Sequence, residues 1–323
     1  MAFSKKDLEI DAARVSEQLV SHLREVIGRR FHKRGVVLGI SGGVDSSVCL
    51  ALSVKAFGPK HVVALALPES DSDPESAVLA RKLARQFGVE FIVEDITPAL
   101  AGFGTYRRRD EAIKRVFPEY DPTYKAKIVL PGNLMEKDTL NVFYLTIISP
   151  EGEEKTKRLP LKEYLQIVAA SNFKQRSRMA MLYYHAERLN YGVVGTGNKD
   201  EHEQGFFVKW GDGGADVKPI AHLFKTQVYQ LAEYLDIPEE IRKRPPTTDT
   251  YSAESTQEEF FFRVPFEIGD LVWLGMEKNV PVEEIAAAAG ITVEQVQRIQ
   301  KDIQRKLRFA EYLKAGPVHF ATE

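Results

Sequence analysis

The sequence predicts an α/β protein: a doubly wound, five-stranded parallel sheet with an inserted β element and a helical C-terminal extension. Three observations predict it. Short apolar runs at 36–40 (VVLGI), 62–67 (VVALAL), 89–93 (VEFIV) and 192–195 alternate with helical patterns, as right-handed βαβ crossovers require. The first run ends in Ser41-Gly42-Gly43 and passes straight into a helix reaching about Phe57. After the second, Asp73-Pro74-Glu75 supplies a cap, a first-turn proline and an acid, opening a helix that stops at Gly88.

The remaining elements follow in order. Leu8, Val15, Leu19, Leu23 and Val26 have helical spacing and mark an amphipathic helix ahead of the first strand. The alternation breaks near Gly102, and residues 103–164 read as loop and hairpin, with turns at Pro131-Gly132-Asn133 and Pro150-Glu151-Gly152 around a strand at 142–148. That is too long for an ordinary connection, so it is expected to be an insertion near the edge of the ligand-binding face. Helices at 172–190 and 223–235 resume the pattern, and Arg244-Pro245-Pro246-Thr247-Thr248-Asp249 can only be loop. Helices at 282–289 and 293–312, separated by Gly290, form the extension at about 280–315. One domain spanning 1–323 is expected.

Composition narrows the function. The 323 residues carry 44 Lys+Arg against 46 Asp+Glu, a net charge of −2, which disfavours nonspecific nucleic-acid binding. A single cysteine, Cys49, excludes an internal disulfide, a Cys-rich zinc site, a Cys-ligated iron–sulfur cluster and a two-thiol redox pair. The start is charged and helical, unlike a signal peptide, and nothing approaches the roughly 18 apolar residues of a membrane span. A cytoplasmic location is expected.

The sharpest chemical signal is Gly39-Ile40-Ser41-Gly42-Gly43-Val44-Asp45-Ser46-Ser47, set between strand and helix. Its glycines let backbone amides approach phosphate oxygens, and its hydroxyls add donors. It lacks the Gly-Lys pair of a Walker A loop. A glycine turn capped by Asp45 and Ser46 is the plainer alternative for the isolated string.

This string resembles the pyrophosphate loop of the N-type ATP pyrophosphatases, which split ATP to AMP and pyrophosphate. Later segments narrow the likeness: Asn172 to Met179, Val193-Val194-Gly195-Thr196-Gly197-Asn198-Lys199-Asp200-Glu201, Gly205 to Asp216, Lys218-Pro219-Ile220, Phe224 to Val228, and Pro246-Thr247-Thr248-Asp249. In that order they resemble the ammonia-dependent NAD synthetases. The resemblance implies ATP contacts from Gly39 through Ser46, Thr196, Lys225 and Thr247, and deamido-NAD contacts from Arg176, Lys209 and Asp216. It implies Mg²⁺ held by Asp45 and Glu201, oxygen donors suited to a hard cation, with Asp45 and Lys225 serving catalysis. Asp212, in a glycine-flanked loop, is the candidate to attract ammonium and remove its proton. The implied partners are ATP, deamido-NAD, ammonia and a second copy of the chain in a homodimer. A separate ammonia-delivering amidase is permitted but not indicated. Glutamine-using members carry an extra amidase domain with a cysteine nucleophile, for which Cys49, among apolar neighbours, is poorly placed.

Two features depart from the family. The segment after Asp249 is unusually aromatic (Phe260-Phe261-Phe262), expected as a hydrophobic plug rather than a lid, and Arg305-Lys306 stands where a His-Lys pair is often found. Two rivals remain. A tRNA-thiolating or GMP synthetase-like ATP pyrophosphatase shares the loop, and residues 281–299 have the rhythm of a DNA-binding helix-turn-helix, though with few basic residues.

Overall fold

The computed structural model describes residues 2–319 except 131, 137–141, 248–250 and 254. Asp11 opens helix α1 (Ala12–Leu23) by accepting from the Arg14 amide at 3.0 Å. Then come β1 (Val36–Gly39), α2 (Val44–Phe57), β2 (Val62–Ala66), α3 (Pro74–Phe87) and β3 (Glu90–Val93). Asp73 caps α3 by accepting from Glu75 N at 2.9 Å, and Gly88 ends it with φ +65°, as the sequence predicts. Two helices, α4 (Thr97–Gly102) and α5 (Thr105–Val116), precede an antiparallel sheet of β4 (Lys125–Val129), β5 (Tyr144–Ile148) and β6 (Glu154–Arg158). The long α6 (Leu161–Leu189) returns the chain to the main sheet at β7 (Gly192–Val193). Helices α7 (Lys199–Gln204), α8 (Lys225–Tyr234), α9 (Glu239–Lys243), α10 (Phe266–Glu277), α11 (Val282–Ala289) and α12 (Val293–Lys314) complete the fold.

The main sheet is parallel in the order β3-β2-β1-β7, with Val36 opposite both Val62 and Gly192. Alternate residues of its strands enter different cores. Val36, Leu38, Val62 and Ala64 pack with α1, α2, α3 and α8, whereas Val37, Val63, Leu65 and Val193 pack with α4 and α6. Helices therefore cover both faces, and the apolar strand runs are explained. The direction of winding reverses between β1 and β7. Loops leaving the carboxyl ends of these two strands converge there, where ligands of such sheets bind.

Three expectations need correction. The described residues form four parallel strands rather than five. The fifth position is reduced to a single bridge, Val194 to Val217, and Pro219 two residues on lacks the N–H to extend it. Residues 103–164 are not only loop and hairpin, since α5 lies within them. The helix expected from residue 172 begins eleven residues earlier, at Leu161.

The inserted sheet has its own core. Ile128, Leu145 and Ile147 pack with Ala112, Ile113 and Phe117 of the α5 region and with Ile167 of α6. The C-terminal helices form another, around Leu271, Ile285, Val296 and Ile299. The helix-turn-helix rhythm is thus accounted for by α11 and α12 packing on α10.

Candidate active site

The glycine loop leaves β1 and turns into α2. Gly42 has φ +74°, and a Cβ there would lie 3.0 Å from both Leu79 Cβ and Ser76 O. Only glycine fits. Ser46 Oγ and Ser47 Oγ donate to Gly43 O at 3.0 and 2.8 Å, and Gly43 N donates to Ser41 Oγ at 3.3 Å. These bonds set the turn from which α2 starts, with first-turn amides that have no intrahelical acceptor. Ile40 and Val44 are buried, so within the predicted cradle they offer backbone only. Arg244, which sequence reasoning did not single out, pairs with Asp73 at 2.5 Å and Ser76 Oγ at 3.1 Å, setting a guanidinium beside the loop.

Asp45, one residue into α2, meets residues from the β7 loop and from α8. Its Oδ2 accepts from Lys225 Nζ, and its Oδ1 accepts from Asn198 Nδ2 at 3.0 Å. Glu201 belongs to the same group. Its Oε2 accepts from Asn198 N at 3.2 Å within the cap of α7, and its Oε1 accepts from Gln257 Nε2 at 2.9 Å. Burial, then the negative charge of Asp45, pushes Glu201 up to about 8. Burial pulls on the Lys225 ammonium in the opposite sense, but the Asp45 and Glu201 carboxylates outweigh it and hold its pKa above the usual lysine range. Lys225 is therefore a permanent cation, only 1% exposed.

Asp45 and Glu201 also offer the oxygen donors that suit a hard divalent cation. Two carboxylates, one of them resisting ionisation because of burial and then the charge of the other, fit a cation that would neutralise both. Among the described residues no group of three or more acidic, His or Cys side chains encloses a metal.

Thr196 is half-buried in the loop following β7, and exposed Thr247 bridges Thr256. Thr248 and Asp249 lie outside the described residues. The loop beyond Thr247 bonds to two places: Gln257 reaches Glu201, while Ala126 N donates to Ser252 Oγ at 2.9 Å on the inserted sheet.

The residues matched to the second substrate divide. Arg176 Nε donates to Lys209 O at 3.2 Å, which brings that pair together. Lys209 Nζ donates to Tyr312 O at 2.9 Å and lies 4.4 Å from the Tyr312 ring centroid. Asp216 is engaged elsewhere, accepting from Val193 N at 2.7 Å and from Tyr183 OH at 3.2 Å, so it braces β7. Asp212 is exposed, and its Oδ1 accepts from Val208 N at 2.9 Å. Protein atoms crowding its carboxyl raise its pKa, and its charge is felt at Glu201.

Beneath Lys225 lies an acid layer that sequence reasoning missed. Asp200 and Asp270 are both buried. Burial followed by the Asp270 charge raises Asp200 well above the carboxylate range, and burial brings Asp270 up to about 6. Cys49 is fully buried, and burial together with the Asp45 and Glu201 charges raises its thiol pKa.

A charged network ties the insertion to the site's edge. Lys174, 1% exposed, donates to Glu69 at 3.0 Å and Asp71 at 2.6 Å in the loop after β2, and Arg109 of α5 also pairs with Asp71. Despite burial, Lys174 and Arg109 hold Asp71 below its ordinary pKa. The aromatic run is a plug inside this chain: the rings of Phe206, Phe261, Phe262 and Phe266 pack tilted and edge-on, with centroids 4.8–5.6 Å apart. Lys306 closes it, bonding Phe261 O at 2.8 Å and Asp302 at 2.7 Å.

A phosphate-cradling glycine loop at the reversal point of a doubly wound sheet, facing a buried lysine, defines a nucleotide-binding α/β protein. The model of the NAD synthase family matches residues 15–118 and 139–310, and the chain belongs to that family. It is 51% identical to the NH(3)-dependent NAD(+) synthetase of Rhizobium meliloti, over 98% of this chain and 94% of the relative. It is 36% identical to that of Thermotoga neapolitana, over 95% and 96%. Among solved structures, the NH3-dependent NAD synthetase from Campylobacter jejuni superposes with TM-score 0.61 at 21% identity, covering 97% of this chain and all of that one. The NMN synthetase from Francisella tularensis gives 0.63 at 22%, with the same coverage. At those identities the structures support the fold alone.

Proposed function

We propose that this chain is a C–N ligase that amidates deamido-NAD with ammonia, consuming ATP and releasing AMP and pyrophosphate. The observation that carries this reading is the meeting of the glycine loop, Lys225 and the Asp45–Glu201 carboxylates at one point of the sheet, in a chain of this family. The other N-type ATP pyrophosphatases share the loop but not the family match.

The reaction divides into two displacements. The nicotinate carboxylate of deamido-NAD attacks the α-phosphorus of ATP, and pyrophosphate leaves. Ammonia then attacks the resulting acyl carbon, and AMP departs with the electron pair of the broken C–O bond. In the first step the loop amides receive phosphate oxygens, and Lys225 supplies N–H donors beyond the one given to Asp45. Asp45 and Glu201 would hold Mg²⁺, which would supply further neutralisation of the leaving group when bound. Asn198 and Gln257 orient the two carboxylates.

Arg176 and Lys209 suit the anionic groups of deamido-NAD. Asp212, with its raised pKa and proximity to Glu201, suits the role of receiving a proton from ammonium. Asp216 acts by fixing β7. We further infer a homodimer, on family grounds. No described helix is long and apolar enough to cross a membrane, in keeping with the cytoplasmic location we propose.

The test is direct. Purified protein is incubated with deamido-NAD, ATP and Mg²⁺, with ammonium or with glutamine, and NAD and AMP are measured. Stoichiometric NAD and AMP with ammonium supports the reading. AMP formation without NAD, or NAD formation with release of ADP, overturns it.

A further inference from the structure

Helix α8 carries Lys225 as its first residue, yet its N-cap is Phe224, a side chain with no oxygen to accept a first-turn amide. The missing acceptors come from elsewhere in the chain. Lys225 N donates to Asp200 Oδ2 at 2.8 Å, and Thr226 N donates to Asp270 Oδ2 at 2.9 Å. Thr226 Oγ1 donates to the same Asp270 oxygen at 2.7 Å. Asp270 is on α10, in the C-terminal helical group, and only 1% exposed. The same helix face touches the two residues that precede Thr226. One turn before Asp270, the Phe266 ring centroid lies 5.7 Å from Lys225 Nζ, and one turn after it Trp273 packs edge-on against Phe224 at 5.5 Å. Phe266, Asp270 and Trp273 are spaced i, i+4, i+7, one stripe of a helix.

We propose that Asp270 is a positioning residue for Lys225. It caps α8 from another helix, and so fixes where the lysine ammonium meets Asp45 and the phosphates. The stripe on α10 grips three consecutive residues, Phe224 by packing, Lys225 by its aromatic neighbour and Thr226 by two hydrogen bonds. A lysine that must meet a transferring phosphate cannot drift, because about 1 Å of misplacement costs on the order of a hundredfold in rate. The C-terminal helices thereby serve catalysis without touching substrate. The inference rests on Lys225 acting on the phosphates.

The test compares Asp270→Ala and Asp270→Asn in the otherwise natural chain and in a Lys225→Met background, reading kcat, KM for both substrates, and Tm. Asp270→Ala is expected to lower kcat about ten- to a hundredfold, with KM for deamido-NAD within about twofold, while Asp270→Asn, which keeps an accepting oxygen, stays within about threefold. In Lys225→Met, adding Asp270→Ala should cost no further kcat, because the group it positions is gone. Equal proportional losses in both backgrounds, or unchanged kcat in folded Asp270→Ala beside an impaired Lys225→Met, overturn the positioning role alone. A fully active Lys225→Met would instead remove the phosphate role on which it rests. Should Asp270→Ala not fold, Asp270→Ser and Thr226→Ala carry the same cycle with the same expected non-additivity.

Discussion

Lys225 and Asp45 stand 180 residues apart in the chain, yet the ammonium of one donates directly to the carboxylate of the other. Lys225 is 1% exposed, whereas the Asp45 side chain keeps 15% of its surface. The pair is thus open on the acid side only, where the glycine loop ends. Lys225→Met should lower kcat about a hundred- to a thousandfold, the usual effect of losing one donor to developing charge. It should also destabilise, leaving Asp45 and Glu201 without their cation, and Asp45→Asn added to Lys225→Met should recover part of the lost Tm. Kinetics and thermal melts on the two single variants and the double check both. A double variant less stable than either single one would contradict the ion-pair account.

Glu201→Gln tests the carboxylate pair. Gln257 can still donate to the new amide oxygen, so the fold should survive. Removing one of two charges should raise the Mg²⁺ concentration for half-maximal activity at least about tenfold and lower kcat, by the scale of second-sphere and ligand losses at metal sites. A magnesium titration at fixed ATP reads this. An unchanged magnesium dependence would place the metal on other groups.

How much was legible beforehand differs by element. The limits of α3 could be read from Asp73, Pro74 and Gly88 because capping is local chemistry. The strands β1 and β2 could be read because burial on both faces leaves no polar alternation. Helix α5 was missed because its apolar face is so sparse: Arg109 is half-buried by pairing with Asp71 and Asp110, a tertiary fact that gives no hydrophobic period. Asp45, Glu201 and Lys225 stand in motifs, and the structure brings them together. Asn198 stood in the quoted motif without an assigned role, while Gln257, Arg244 and Asp270 act through partners 44 to 171 residues away. Nothing in their own neighbourhoods announces them. Asp216 shows the converse: a motif acid whose oxygens are both committed to β7 and Tyr183.

Cys49 offers a test of nitrogen source. Its thiol is fully buried, and burial with two nearby carboxylates keeps it protonated. It should resist iodoacetamide at pH 8 in the folded protein. Cys49→Ser should change ammonium-dependent NAD formation by less than about twofold, since the substitution is nearly isosteric and a buried serine in this helix can donate to the carbonyl one turn earlier, as Ser53 does to Cys49 O at 2.7 Å. Fast alkylation, together with glutamine hydrolysis that disappears in Cys49→Ser, would assign this thiol a catalytic role.

Lys306 links stability to pH. Burial, only partly offset by Asp302, lowers its pKa to about 8 in the folded chain, against 10.5 when unfolded. Between those values the unfolded chain binds a proton that the folded chain does not. The contribution of this lysine is therefore most favourable above pH 10.5, weakens as pH falls towards 8, and is constant below it. The interval of about 2.5 pH units corresponds to at most roughly 3.5 kcal/mol at about 1.36 kcal/mol per pH unit. General alkaline unfolding acts on every surface lysine, so the informative quantity is the stability of the natural chain relative to Lys306→Met. That difference should shift in favour of the natural chain as pH rises from 8 to 10.5, and stay flat from 6 to 7.5. Urea melts at four pH values on both proteins give the curve. A difference moving in the opposite sense would mean that the Asp302 carboxylate and Phe261 carbonyl stabilise the ammonium more than burial penalises it.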